Sequence, residues 1–416
     1  MTSDETTPTA DLPLAALQRA VRATTEILAH ELAQPQATAP EWSESEWRIA
    51  RAVVAMHGVS GLMAAGTRWP GPAGWQGFLA EQRLQITQRQ PRIQALLQQV
   101  DTRARALGVP LIALKGAALH AHGIYAPGER PMADLDLLVP ESDAPRAAQL
   151  LTELGFHPGH LTWKHQAFEP EDSAQGPASF GESSANPIRI ELHSCIREIL
   201  PLRPVDITAL MWPGAPRPGI NDYASRSAML LHILLHACGT LLGRTARLLH
   251  LYDIARLTAT MGPADWEELF RQAHASADPD LWWTYPPLVL TDRYFRCVPR
   301  AVLERVGRAC HWQLRRAYRR YTLSDVSLSY LWVSAFPGIE WSRSLRERAA
   351  YALVRVRPHP ETLALRKAFA ESQPLVSGGA WAYTSQGRRI LRWLLARQPR
   401  QESLQPVRIS LAHPLS

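Results

Sequence analysis

Apolar residues recur at helical spacing in LAALQRAVRATTEILAHEL, the first patterned stretch after a polar opening of about a dozen residues. A Pro/Ala/Gln linker, AQPQATAP, separates it from a second helix in SESEWRIARAVVAMHG, where Ser43 or Ser45 supplies the N-cap. After the turn-rich WPGPAGW, an amphipathic pattern predicts a long helix over Gln76 to Leu107, broken or kinked at Pro91. At Gly108 the period changes. VPLIAL (Val109 to Leu114) reads as a buried strand, Ala117 to Tyr125 as a short helix, APGERP as a turn and LDLLV as a second strand. DAPRAAQLLTELGF continues as a helix and WKHQAFEP as a third strand. Glu169 to Pro187 reads as a flexible loop, and IRIELHSCI (Ile188 to Ile196) as an alternating strand. From Ile207 to about Arg400 the pattern is helical again, without internal repeats. The predicted fold class is α+β and mainly helical. A small mixed-sheet core over 108–201 lies between an N-terminal helical region over 13–107 and a C-terminal helical domain over 202–400. Tails are expected over 1–12 and 401–416.

Composition fits this division. A chain of 416 residues exceeds one typical core, and 46% hydrophobic with 20% charged residues describes a globular protein rather than a disordered one. The four cysteines, Cys195, Cys238, Cys297 and Cys310, have neither C-x-x-C nor zinc-finger spacing, so they read as free thiols of a reducing compartment. The polar, acidic start MTSDETTPTADLP is unlike a secretory signal. The apolar SAMLLHILLHACGTLLG (Ser227 to Gly243) carries two histidines and reads as a core helix. A cytoplasmic location is the expectation. The net charge of +7 is uneven, because residues 301–416 hold 19 Lys+Arg against 7 Asp+Glu. Only Lys115, Lys164 and Lys367 are lysines, so each marks a place where a compact ammonium survives in an arginine-rich chain.

Chemistry concentrates in ERPMADLDLLVPE (Glu129 to Glu141). Side chains at i and i+2 of a strand share a face, so Asp134 and Asp136 are neighbours while Leu135 and Leu137 point the other way. Two such carboxylates repel unless a cation lies between them, and a hard ion such as Mg²⁺ takes one or two carboxylates together with substrate phosphates. A solubilised strand end is the bland alternative. Three features favour the site. The preceding strand ends in LKGAA, where Gly116 allows backbone N–H groups near a phosphate and Lys115 adds charge. Arg130 stands four residues before Asp134, within reach of the same anion. Glu191, with His193 on its face, offers a third carboxylate from IRIELH. His232 and His236 at i, i+4 lack the adjacent glutamate of a zinc-protease helix and read as core or pocket-lining residues. Asp253 follows on the next helix. Gln386 to Arg400 pairs a leucine face with arginines, suited either to a membrane or partner surface or to packing.

Taken together, LKGAAL, RPMADLDLLV, a helix ending LLTELGF, and IELH resemble the uncharacterised nucleotidyltransferase family of the DNA polymerase β-like superfamily. LLHILLHACGTLLGRTARLLHLYDIARL, DWEELFRQA and AFPGIEWSRSLRERAAYAL resemble its helical region more loosely. The resemblance implies an Mg²⁺-dependent enzyme, with two ions on Asp134, Asp136 and Glu191, that moves a nucleoside monophosphate from an NTP, such as ATP, to an acceptor. Lys115, Gly116 and Arg130 would contact the nucleotide, and His193, His236 and Asp253 would line the acceptor pocket. Relatives in natural-product and ribosomal-peptide tailoring point to a small-molecule or peptide acceptor. No stable nucleic-acid complex is expected, since the basic residues are scattered rather than aligned in one groove. The chain departs from the wider superfamily at Ala117, where a serine usually meets the triphosphate. The alternative is a catalytically silent nucleotide-binding or scaffold protein of a biosynthetic cluster.

Overall fold

A computed structural model of the chain describes residues 12–162, 164–171, 181–274, 280–360, 362–364, 367, 384–395 and 398–415. The tail expected over 1–12 therefore lies outside the described residues except for Leu12, as does the middle of the loop expected over Glu169 to Pro187. Three helices open the chain: α1 (Leu14–Ala33), α2 (Glu44–Met56) and α3 (Ser60–Gly66). Ser43 caps α2 through a capping box. Its hydroxyl accepts from the Glu46 N–H at 3.4 Å, and Glu46 Oε2 accepts from the Ser43 N–H at 2.8 Å. Helix α4 (Ala73–Leu107) runs on through Pro91 as one helix, so the chain does not break there. Buried Ile86, Arg89 and Ile93 hold the turns on both sides against the protein, and this packing outweighs the lost backbone hydrogen bond. Gly108, at φ +68°, ends the helix in the left-handed conformation that glycine adopts without strain.

The sheet follows: β1 (Pro110–Ala113), α5 (Lys115–Ala121), β2 (Asp134–Leu138), α6 (Ala144–Glu153), β3 (Phe156–Leu161), β4 (His165–Pro170) and β5 (Arg189–His193). A separate hairpin of β6 (Arg197–Ile199) and β7 (Pro204–Asp206) leads to α7 (Thr208–Met211) and β8 (Gly219–Asn221). The sheet has six strands in the order β3-β4-β5-β2-β1-β8. It is mixed, with β2 parallel to β5 and β1 parallel to β8, while β1–β2, β3–β4 and β4–β5 are antiparallel. Strand β8 carries the core past the boundary expected at residue 201. Three residues are too few to show a period, and only pairing with Pro110 to Ile112 makes them a strand. Strand β3 escaped the sequence because all but Phe156 is exposed, leaving no apolar alternation to detect.

Two apolar cores result. Under the sheet, Leu111, Leu135, Leu137, Ile190 and Leu192 join Ile93 and Val100 of α4 and Leu150 of α6. The larger core is helical and is centred on α8 (Arg226–Gly243) and α9 (Leu248–Thr258). Most of α8 is buried, as expected of a core helix. Leu17, Val21 and Leu28 of α1 share this core with Leu323, Leu331 and Trp341, so the first and last helical regions close on each other. The segment expected as a tail over 401–416 is instead a helix over Gln401–Ala412. Leu404, Val407 and Leu411 are buried there, and Ser410 Oγ donates to the Arg48 carbonyl of α2 at 2.6 Å. Its polar composition hid a three-residue apolar stripe. Within Gln386 to Arg400, the helix Gln386–Leu395 buries none of its side chains, and Leu391, Leu394 and Leu395 are exposed.

Candidate functional site

Register places the chemistry. In the β2–β5 pair Asp136 lies opposite Glu191, and in the β4–β5 pair His165 lies opposite His193. Directly paired residues share a face, so Asp134, Asp136, Glu191, His193 and His165 project from one side of the sheet. The other side carries Leu135, Leu137, Ile190 and Leu192 into the core. Asp134 is exposed at the strand start, while Asp136 is buried.

Lys115 completes the cluster. Its Nζ lies 2.6 Å from Asp136 Oδ1, and the same oxygen lies 3.0 Å from His193 Nε2. These partners hold Asp136 ionised well below the usual carboxylate range: dehydration opposes ionisation, but the Lys115 charge and the His193 hydrogen bond outweigh it. Asp134 has no such partner. Although the residue is exposed at the strand start, surrounding protein dehydrates its carboxylate, and this, then repulsion from Asp136 and Glu191, pushes it up to about 6. Lys115 is raised, because Asp136, Glu191 and Asp134 together outweigh its burial. His193 is raised as well by Asp136 and Glu191 against the pull of burial. His165 is pushed down to about 4, chiefly by burial, and is neutral near pH 7. Lys115 also adopts φ +48°, rare for a residue with a side chain, and its N–H donates to Tyr223 Oη at 3.3 Å.

The remaining expectations divide. Arg130 was expected on the nucleotide and Asp253 in the acceptor pocket, yet they bond to each other. Arg130 Nε and Nη2 donate to Asp253 Oδ1 and Oδ2, both at 2.8 Å, with the side chains 9% and 7% exposed. Tyr125 Oη adds a third bond to Asp253 at 2.7 Å. Gly116 has a packing reason: a Cβ there would lie 2.3 Å from Arg130 Nη1 and 2.9 Å from Met132 Cγ. Ala117 is buried and belongs to the apolar core under the sheet, so a serine hydroxyl would meet hydrocarbon there. His236 sits on α8 with its ring 5.0 Å from that of His250. Burial, then the charge of Lys115, holds its imidazole well below the usual histidine range.

Three contributors went unrecognised in the sequence. Buried Arg89 of α4 donates to the carbonyls of Met132 at 3.0 Å, Ala133 at 3.1 Å and Pro187 at 2.9 Å, and also to that of Asn186. One guanidinium therefore clamps the segments that enter β2 and β5, and so positions Asp134 and Glu191. Exposed Arg247, just before α9, lies close enough to oppose the rise of Asp134 and of half-buried Glu182. His165 required a strand pairing that no local pattern reveals.

A family model described as an uncharacterised nucleotidyltransferase matches residues 43–277, from the cap of α2 past the whole sheet and through α8 and α9. The chain belongs to the uncharacterised nucleotidyltransferase family. No curated protein and no solved structure matches it. Membership supports a general role in nucleotidyl transfer, with an NTP as substrate. The matched span contains every strand of the six-stranded sheet and all three carboxylates.

Proposed function

We propose that this protein is an Mg²⁺-dependent nucleotidyltransferase that passes a nucleoside monophosphate from an NTP, such as ATP, to a small-molecule or peptide acceptor. The carrying observation is the register that brings Asp134, Asp136 and Glu191 onto one sheet face. The donor set fits a hard dication: Asp136 and Glu191 are directly paired and Asp134 shares their face, and their repulsion adds to the dehydration that raises Asp134 to about 6. Asp134, Asp136 and Glu191 would hold the ion or ions, which when bound would neutralise phosphate charge at the reacting centre. An acceptor hydroxyl yields its proton to Glu191 as its oxygen attacks the α-phosphorus in line, the bond to the bridging oxygen breaks, and pyrophosphate leaves. Lys115, already among the carboxylates, offers its ammonium to the incoming phosphates, and Arg247 offers a second cation from the helical side. Ribosomal-peptide or other natural-product tailoring is the setting we favour.

Titration with ATP, GTP, CTP and UTP, with and without Mg²⁺, tests this. Metal-dependent binding in the wild type that Asp134→Asn abolishes supports the proposal; NTP binding indifferent to both changes sinks it. A second reading, nucleotide binding without transfer, has one observation behind it. Ala117 puts a methyl in the apolar core where the superfamily pattern calls for a triphosphate-binding hydroxyl. Metal-dependent binding without pyrophosphate release across a panel of peptide and small-molecule acceptors would favour it.

A further inference from the structure

His165 has no role in the proposed nucleotidyl transfer, yet it stands against two residues that have one. His165 Nδ1 lies 3.4 Å from Glu191 Oε2, and His193 Nε2 lies 3.6 Å from the same oxygen. The two imidazole rings stand 5.0 Å apart, centre to centre. One ligand atom from each of the three residues falls within 4.8 Å of the others. The side chains are enclosed, at 14% exposure for His165, 8% for His193 and 23% for Glu191.

These separations suit a coordinated ion better than hydrogen bonds. Good N–H···O contacts fall at about 2.7–3.2 Å, shorter than either distance to Glu191. Four ligand atoms placed tetrahedrally about 2.0–2.1 Å from a metal stand roughly 3.3–3.4 Å apart. His165 Nδ1 is also buried without a hydrogen-bond partner. A buried imidazole nitrogen with no hydrogen-bond partner, 3.4 Å from a carboxylate oxygen, stands at the separation of two ligands of one ion. Packing alone does not account for it, because an apolar side chain opposite His193 would fill the strand pair without leaving a nitrogen unsatisfied.

We infer that His165, Glu191 and His193 form a cation site distinct in chemistry from the Asp134–Asp136 pair, one that takes a borderline transition dication of the Zn²⁺ class. Two neutral imidazoles and one carboxylate are a donor set for such ions, and Mg²⁺, which prefers oxygen, gains little from the nitrogens. Three protein ligands leave a coordination position open to water or substrate. Glu191 has a second oxygen, Oε1, so it can face the Asp134–Asp136 side as well. This inference goes beyond nucleotidyl transfer, and it is tested without nucleotide.

The experiment uses the full chain, stripped of metal with a chelator and titrated with Co²⁺ in a large excess of Mg²⁺. Visible ligand-field absorption reports the geometry, and pulsed electron paramagnetic resonance reports directly coordinated ¹⁴N. One equivalent of Co²⁺ bound with imidazole nitrogen in its shell, displaced by Zn²⁺ and not by Mg²⁺, is the expected result. His165→Ala and His165→Gln should each weaken Co²⁺ binding at least ten-fold while circular dichroism stays native. Asp134→Asn should leave Co²⁺ binding intact, which separates this site from the proposed Mg²⁺ and NTP site. Displacement by Mg²⁺, the absence of coordinated ¹⁴N, or unchanged Co²⁺ affinity in both folded His165 variants overturns the inference.

Discussion

The Arg130–Asp253 pair joins the loop before β2 to α9 and lies almost wholly out of water, so it gives a sharp test of what this arginine does. Asp253→Leu leaves a guanidinium buried against Gly116 with one backbone acceptor, the Pro131 carbonyl at 3.2 Å. Arg130→Met leaves the Asp253 carboxylate with only the Tyr125 hydroxyl. Each single change strands a buried charge, at an expected cost of about 3–5 kcal/mol. Replacing both partners removes both charges, and apolar replacement of a buried pair is commonly near neutral, so Arg130→Met/Asp253→Leu should lie within about 2 kcal/mol of the wild type. Urea unfolding followed by circular dichroism, arranged as a double-mutant cycle, should therefore give a coupling above about 2 kcal/mol. Single costs that add to within about 0.5 kcal/mol would refute the pairing as a structural device. The double variant also decides the nucleotide question. It should bind NTP with wild-type affinity if Arg130 is a brace, and lose that binding if the guanidinium grips phosphate.

Other expectations follow from the same contacts. Gly116→Ala drives a Cβ to 2.3 Å from Arg130 Nη1, so overpacking should destabilise by about 1–3 kcal/mol, and Arg130→Met should relieve most of it; an unchanged urea midpoint would contradict the geometry. Arg89→Met removes every carbonyl contact at the entries to β2 and β5, and hydrogen bonds to a charged group contribute about 1.5–3 kcal/mol each. It should therefore weaken Mg²⁺-dependent NTP binding along with stability, whereas the exposed Arg103→Ala on the same helix should alter neither. Lys115→Ala should raise the Kd for NTP far more than Arg103→Ala does, and equal effects would remove Lys115 from the nucleotide site. Buried His57 accepts the Leu248 N–H on Nδ1 at 2.9 Å and meets Ser329 Oγ through Nε2 at 2.8 Å, and burial pushes it down to about 3. Because the unfolded state takes this proton first, the stabilisation is complete above about pH 6.5 and is lost as pH falls toward 3, amounting to about 2 kcal/mol by pH 5. His57→Gln should flatten stability against pH between 6.5 and 5 by about 1 kcal/mol per unit, and an unaltered slope would show that His57 is not buried neutral.

What the sequence made legible was whatever a short window can encode. The alternation of Asp134, Leu135, Asp136 and Leu137 is local, and so were the two faces it predicted. The N-cap of α2 is equally local: the sequence left it between Ser43 and Ser45, and the structure uses Ser43. Partners were another matter, because a partner is a property of pairing. LKGAA marked Gly116 as a glycine with a purpose, yet only the three-dimensional packing shows that the purpose is Arg130. For Arg130 a local window offered only an anion as partner, because Asp253, which it bonds, is over a hundred residues away. Arg89 sits in QRQPR, a polar run that reads as solvated helix surface, and its four carbonyl acceptors belong to segments between residues 132 and 187.

The same reasoning explains the strand that best combines both kinds of information. Within β5, Glu191 and His193 could be placed on one face from alternation alone, and Asp136 could be placed on a face of β2. Pairing then sets which strands lie beside them: parallel register puts Asp136 beside Glu191, and antiparallel register on the other edge puts His165 beside His193. A slip of one residue in either pairing would turn one set of polar side chains into the core and dissolve the cluster. The buried leucines and isoleucines on the opposite face make such a slip expensive. The apolar half of each strand, which contributes no chemistry, is therefore what holds carboxylates and imidazoles together at distances that a cation can bridge.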